Sequence, residues 1–120
     1  MGKKKLNRDL ALKVLEVAGA VKDALDDLLD TMFIIYQPKD YIGAIGTQAV
    51  FTVVAMNVVS YQWQKSDDGV TWVTAVGTGV QTPTFSFGIA QSSYSRKWRC
   101  ALTDADSNVI YSDVVGLIAP

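Results

Sequence analysis

The sequence predicts a mainly β fold, a β-sandwich or small barrel of about seven strands that follows one long N-terminal α-helix. Three observations support this. The 120 residues are near the size of one domain. Apolar residues recur at helical spacing up to about residue 31, and from Phe33 onward they alternate with a period of two between closely spaced turn residues. We therefore divide the chain into a helical anchor or oligomerisation segment, residues 1–35, and a β-domain, residues 36–120.

The predicted helix begins after Asn7, a plausible N-cap, and runs for roughly 24 residues, or ~36 Å. Its apolar positions step alternately by four and three, which is a heptad pattern. These positions are Leu10, Val14, Val17, Val21, Ala24 and Leu28. A single helix cannot bury such a stripe alone. We expect it to pack on its own domain, on copies of itself or on another protein, and we favour the last two.

Charge is unevenly distributed along the chain, although the net charge is only −1. A basic tip precedes the acidic body of the predicted helix. It consists of Lys3, Lys4, Lys5 and Arg8. The tip could attach to an acidic surface or simply solubilise the end of the chain. The small net charge argues against a specific nucleic-acid partner, and no apolar run approaches the ~18 residues of a membrane span.

The β-domain is predicted from runs rich in Thr, Val, Tyr, Trp and Phe, separated by turn residues. The predicted strands are 41–45, 48–55, 59–65, 70–75, 83–88, 95–103 and 108–117. Asp67-Asp68-Gly69 provides the turn of one hairpin. Pro38 suits a connector between helix and sheet, because proline neither continues a helix nor sits in a central strand.

Two runs of residues resemble the bacterial and phage immunoglobulin-like domains: SYQWQKSDDGVTW at 60–72 and KWRCALTDADSNVIYSD at 97–113. The resemblance implies an immunoglobulin-like β-sandwich in which Trp63 packs between the sheets and Trp98-Arg99-Cys100 is the aromatic-x-Cys of the sixth strand. The implied core residues are Phe51, Val53, Trp63, Trp98 and Cys100. Val53 stands where the family's other cysteine would lie, so Cys100 is expected to be a small buried hydrophobe.

A helix followed by one such domain is similar to the immunoglobulin-like capsid decoration proteins of tailed phages. The resemblance implies a structural, non-enzymatic virion protein that is assembled in the host cytoplasm. Its partners would be the major capsid protein or a neighbouring structural protein, with self-association through the helix. The alternative is an adhesion module, tail-associated or on a cell surface, that the helix oligomerises and that recognises a host glycan or protein.

Enzymatic chemistry finds little support in the composition. There is no His and only one Cys, which excludes Ser-His-Asp and Cys-His nucleophile pairs and His-ligated zinc. Asp104, Asp106 and Asn108 have the opening spacing of a calcium loop, but Val109 replaces the glycine that this loop needs. We therefore predict a turn there, and no enzyme, cofactor or metal site in the chain.

One basic segment is a weaker candidate for a binding site. Arg96, Lys97 and Arg99 lie close in sequence to Tyr94 and Trp98, and such a group could bind an anionic glycan or a nucleic acid strand. Strand alternation turns Trp98 inward with Cys100 and leaves Lys97 and Arg99 outward. We therefore favour an ordinary solvated strand face.

Overall fold

The computed structural model describes residues 30–120, which are mainly β, with 47% in strands. The first five strands are β1 (Phe33–Tyr36), β2 (Tyr41–Ile42), β3 (Gln48–Thr52), β4 (Val54–Met56) and β5 (Ser60–Ser66). The other five are β6 (Val73–Thr74), β7 (Thr84–Gly88), β8 (Lys97–Thr103), β9 (Val109–Tyr111) and β10 (Val115–Ile118). A 3₁₀ helix, Gln91–Ser95, connects β7 to β8.

The strands form two layers around one core. The large sheet has the order β2-β10-β8-β5-β6, and β9 extends the pairing along β8. Its neighbours are antiparallel except for β2 and β10, which run parallel. The facing layer consists of two antiparallel ladders, β3 with β7 and β1 with β4. Alternate side chains of each layer point inward, as in any β-sandwich.

Aromatic rings from both layers fill the core. Phe51 of β3 lies 5.6 Å from Trp98 of β8, and Trp63 of β5 lies 5.7 Å from Phe85 of β7, measured between ring centroids. The indole Nε1 of Trp63 donates a hydrogen bond to the Thr82 carbonyl at 2.8 Å, so its polar atom is satisfied although the residue is fully buried. Large aromatic side chains contribute most of the buried area in such a core.

The structure places all five residues of the expected core in the buried interior. Phe51, Val53, Trp63, Trp98 and Cys100 are each at most 2% exposed, and Cys100 stands directly opposite Trp63 in the β5–β8 register. Burial raises the pKa of the Cys100 thiol to about 12. Cys100 is thus a neutral, free thiol that packs as an apolar side chain.

The predicted fold class is wrong in its long N-terminal helix. Within residues 30–120 the one complete helix is the five-residue 3₁₀ helix, and the chain pairs as a strand from Phe33 onward. From Phe33 the backbone of the predicted anchor segment 1–35 is extended, because it pairs with β4. The expected seam and tip lie outside the described residues: Leu10, Val14, Val17, Val21, Ala24, Leu28, Lys3, Lys4, Lys5 and Arg8.

The sandwich begins earlier than the predicted domain boundary. Its compact unit starts at Met32 rather than at residue 36, since β1 pairs with β4 and brings Phe33 opposite Met56. Met32 is buried and Ile34 packs against the core. The run from Met32 to Tyr36 is apolar at every position, so the period of two that was expected from Phe33 onward begins only after this strand.

The predicted final strand, 108–117, is interrupted at Ser112. The hydroxyl of Ser112 accepts a hydrogen bond from the Cys100 amide at 2.8 Å, and the Ser112 amide donates to the Cys100 carbonyl at 2.9 Å. The Ser112 side chain therefore takes the place of one backbone acceptor along β8, at the point between β9 and β10.

The described residues include no helix long and apolar enough to cross a membrane.

Candidate functional site

An aromatic and cationic group lies on the outer face of the large sheet. The guanidinium carbon of Arg99 is 4.3 Å from the ring centroid of Trp72 and 3.8 Å from that of Tyr111. Its Nε donates a hydrogen bond to Oε1 of Gln64 at 2.8 Å. We call these four residues, Gln64, Trp72, Arg99 and Tyr111, the Arg99 cluster. Arg99 is held by two rings and an amide, so its planar group has a fixed orientation.

Strand register assembles the Arg99 cluster. Trp98 and Cys100 point inward, so Arg99 between them points outward, where it is the cross-strand partner of Gln64. The neighbouring pair, Ala101 with Tyr111, brings the Tyr111 ring alongside. Sequence reasoning predicted the outward direction of Arg99 but missed both rings. No local signal marks Tyr111, because the β8–β9 register alone places it there.

Trp72 is positioned by the turn that precedes it. The carboxylate of Asp68 accepts hydrogen bonds from the Val70 amide at 2.8 Å, the Thr71 amide at 2.7 Å and the Ser66 hydroxyl at 3.0 Å. These bonds lower the pKa of Asp68 to about 2, with the Thr71 amide contributing most. Because Val70 and Thr71 belong to this turn, the predicted strand 70–75 is shorter in the structure and is limited to β6, Val73–Thr74. Asp68 thus has a structural role in the hairpin turn that the sequence predicts at Asp67-Asp68-Gly69.

A second feature is a cleft of about 430 Å³ beside the 3₁₀ helix. We call it the Arg96 cleft. Two cationic side chains line it, Lys65 and Arg96. The other residues that line it are Gln48, Val76, Gly77, Thr78, Ser86, Phe87, Gly88, Ala90, Ser92, Ser93 and Trp98.

The structure separates the basic and aromatic residues that are neighbours in the sequence. Arg96 lines the cleft and its Nε donates to Oδ1 of Asp67 at 2.8 Å, whereas Arg99 belongs to the Arg99 cluster. The hydroxyl of Tyr94 donates to the Gly43 carbonyl at 2.7 Å, which ties the 3₁₀ helix to the loop after β2. Trp98 is buried. The weaker interpretation, a single patch, therefore divides between two places, because alternate residues of β8 face opposite sides of the sheet.

The acidic turn after β8 forms as predicted from its sequence. Oδ1 of Asp104 accepts hydrogen bonds from the amides of Asp106 and Asn108, both at 2.9 Å, and Oδ2 accepts from Nδ2 of Asn108 at 3.0 Å. The Asn108 side chain is the main cause of a lowered pKa at Asp104. In the described part of the chain, no group of three or more His, Cys, Asp or Glu side chains could hold a metal ion.

No family model matches the chain, and no curated protein matches it. Among solved structures it is similar to Duf (Kirre) D1, with a TM-score of 0.52 and 17% identity over 75% of this chain and 99% of that one. It is also similar to a β-1,2-glucanase from Parabacteroides distasonis, with a TM-score of 0.50 and 13% identity over 76% of this chain. That match covers only 13% of the glucanase chain. At such identities the likeness shows the fold alone, and the fold is an immunoglobulin-like β fold.

Proposed function

We propose that the chain is a non-enzymatic structural protein of a phage virion that displays its immunoglobulin-like domain on the particle. The main support is that residues 32–120 form one compact unit, a sandwich with an aromatic core. Within the described residues, no buried side-chain nitrogen or oxygen lacks a hydrogen-bond partner. The carboxylates of Asp68 and Asp104 each accept backbone hydrogen bonds within a turn.

On this proposal the residues before the sandwich attach the domain to the particle. Their apolar positions, such as Val14 and Val21, would contact the major capsid protein or a neighbouring structural protein, or further copies of the chain. The basic residues Lys3 to Lys5 would face an acidic surface there. The protein would reach the virion during assembly in the host cytoplasm.

Co-sedimentation with purified virions tests this function. The wild-type chain should sediment at a fixed stoichiometry, and the double substitution Val14→Asp with Val21→Asp should remove it from the particle, because charge is costly in an apolar contact. The matched control is Val70→Asp with Val76→Asp, at two exposed positions of the sandwich. Absence of the wild-type chain from virions would overturn the proposal, and full occupancy by the Val14 and Val21 variant would move the attachment to the sandwich.

A second candidate function, an adhesion module for a host glycan or protein, is supported by the Arg99 cluster. Trp, Tyr and Arg are the residues enriched where binding energy concentrates, and Tyr111 is 50% exposed. If the cluster binds host cells, Tyr111→Ala should lower cell binding of the fluorescently labelled chain at least about tenfold. Val109→Ala, on the same strand and 48% exposed, is the matched control. Equal binding by both variants would contradict this function.

A further inference from the structure

We propose that the Arg99 cluster binds the carboxylate of an aspartate or glutamate side chain on a partner protein. The inference rests on the second candidate function, the adhesion module, and names the chemical group that its binding face recognises. Three observations carry it: the unused donors of Arg99, its lack of an acidic partner within the described residues, and the apolar surface around it.

The hydrogen-bonding edge of Arg99 is only partly used. Its Nε donates to Gln64, whereas within residues 30–120 its two Nη groups make no hydrogen bond and no ion pair. No buried side-chain nitrogen in this part of the chain lacks a partner, so the Nη groups are open to solvent. One N–H from each Nη lies in a common plane, and together they match the two oxygens of a carboxylate. Arg99 can therefore hold a carboxylate in an end-on, bidentate pair.

Two rings hold the guanidinium of Arg99 in place. Tyr111 belongs to β9 on one side of β8, and Trp72 precedes β6 on the other side, beyond β5. The ring centroids lie 3.8 Å and 4.3 Å from the guanidinium carbon, respectively. A side chain that is ordered before binding loses little conformational freedom when its ligand arrives. The cluster is thus a preorganised donor for a planar anion.

No acid among the described residues neutralises Arg99. The two acids of the adjacent hairpin turn are engaged elsewhere, because Asp67 pairs with Arg96 and the Asp68 carboxylate accepts hydrogen bonds within the turn. Lys97, two residues before Arg99 on the same outward side of β8, is exposed and also makes no ion pair within residues 30–120. This face therefore carries uncompensated positive charge, which is complementary to an acidic group on a partner.

The surroundings of the guanidinium favour a protein partner over a glycan. Trp72 and Tyr111 cover it with aromatic surface, and Val109, 48% exposed, extends the apolar surface along β9 on the side of Tyr111. An apolar sheet face around one arginine matches the composition of protein interfaces, in which Trp, Tyr and Arg are enriched. An acidic side chain with apolar neighbours fits both parts of this face.

Selection of short random peptides displayed on a library, with the full chain as bait, provides the first test. We expect the selected peptides to share an aspartate or glutamate beside apolar residues and to shift the side-chain Nε–H signal of Arg99 in NMR spectra of the ¹⁵N-labelled chain. Replacement of the shared acid by its amide should weaken binding about tenfold, because a charged hydrogen bond is lost. Peptides without a shared acid, a failure to select any peptide, or an unmoved Arg99 signal would overturn the proposal.

A double-mutant cycle isolates the pair between Arg99 and the peptide. Arg99→Gln and the amide peptide should each lose about tenfold in affinity, and the two together should lose little more, since both remove the same contact. Arg96→Gln is the matched control, because it removes the same charge three residues away, at an arginine that pairs with Asp67. It should leave the affinity unchanged. Losses that multiply, or an equal loss in Arg96→Gln, would contradict a direct contact.

Arg99→Lys separates geometry from charge. Lysine keeps the charge but lacks the planar pair of donors, so most of the affinity lost in Arg99→Gln should be lost here too. Dispersed amide spectra verify folding of each variant, and the amide peptide tests the pair without any change in the protein. Full affinity in Arg99→Lys would overturn the bidentate pair. An Arg99 signal that shifts with chondroitin sulfate when no peptide is selected would mark a glycan site and would also overturn the proposal.

The outcomes separate this inference from the function on which it rests. If the acidic peptides bind through Arg99 and cell binding fails, the adhesion function is lost and the cluster remains a carboxylate site. If cell binding depends on Tyr111 and the cycle shows no coupling to Arg99, only the carboxylate proposal fails.

Discussion

Trp63 is the largest fully buried side chain among the described residues. It is fully buried, lies 6.2 Å from Phe51 and 5.7 Å from Phe85, and is bonded to the Thr82 carbonyl. It therefore joins strands of both layers. A side chain of this size cannot be removed without leaving a cavity, since folded interiors are close-packed.

Truncation of this side chain should destabilise the full chain strongly. Trp63→Ala is expected to lower the free energy of unfolding by about 3–5 kcal/mol, through lost burial and the cavity left behind. Urea unfolding measured by circular dichroism gives the value. The control is Trp72→Phe at the half-buried tryptophan of the Arg99 cluster, which should cost less than about 1 kcal/mol because an aromatic ring remains beside Arg99. A loss below about 1 kcal/mol at Trp63 would mean that another residue anchors the core.

Asp68 should link the stability of the hairpin to pH. Its folded-state pKa is about 2, below the ordinary value of 3.8, so its stabilising contribution is present above about pH 4 and is lost as the pH falls through 2. The melting temperature of Asp68→Asn should therefore fall less between pH 5 and pH 2 than that of the wild type, because the variant lacks the carboxylate that is protonated in this range. Asp106→Asn, in the other acidic turn, should retain it. Identical pH profiles for the wild type and Asp68→Asn would contradict the role of Asp68.

At the scale of elements, Ser112 connects two short strands that would otherwise be one. The interruption between β9 and β10 leaves the Cys100 amide facing a side chain rather than a backbone carbonyl. Ser112 is itself buried, and its hydroxyl also donates to the Asp113 carbonyl at 3.0 Å. One hydroxyl thus satisfies two backbone groups at the junction, which permits the bend without an unpaired buried amide.

Removal of the Ser112 hydroxyl should lower the free energy of unfolding by more than the loss of one small polar group would suggest. Ser112→Ala leaves the buried Cys100 amide without an acceptor, and we expect a loss of about 1–3 kcal/mol in the free energy of unfolding. The exposed Ser60 gives the matched control, because Ser60→Ala removes a hydroxyl that makes no hydrogen bond with the described residues. Chemical denaturation of both variants decides the matter. If they are equally stable, the ladder at Ser112 is held by backbone bonds alone.

At the scale of the whole molecule, the sandwich should fold without the residues that precede it. The fragment 32–120 includes β1 and the buried Met32, and it should give dispersed amide spectra and one cooperative thermal transition. The shorter fragment 36–120 lacks most of β1 and leaves the β4 ladder unpaired, so it should melt at a lower temperature. An unfolded 32–120 fragment would show that residues 1–31 are required for the fold.

The sequence by itself determined the features that depend on neighbours along the chain. Period-two alternation put Trp98 and Cys100 on the inward face, and turn chemistry placed Asp68 and Asp104 in turns. The buried position of Trp63 followed from the resemblance to immunoglobulin-like domains. These predictions succeeded because side-chain direction in a strand and hydrogen bonding within a turn are decided over a few residues. The same local reasoning predicted a long helix, which has no counterpart in the described residues.

Only the tertiary structure decided which distant residues meet. Tyr111 reaches Arg99 through the register of β8 with β9, and Lys65 shares a cleft with Ser92 because chain segments far apart in sequence close around the 3₁₀ helix. Pairing of β1 with β4 likewise depends on a partner about twenty residues away, and the residues of β1 do not alternate between apolar and polar in a way that would predict a strand. Register and layer packing are set by burying one shared core, and that constraint acts on all the strands together rather than on any one segment.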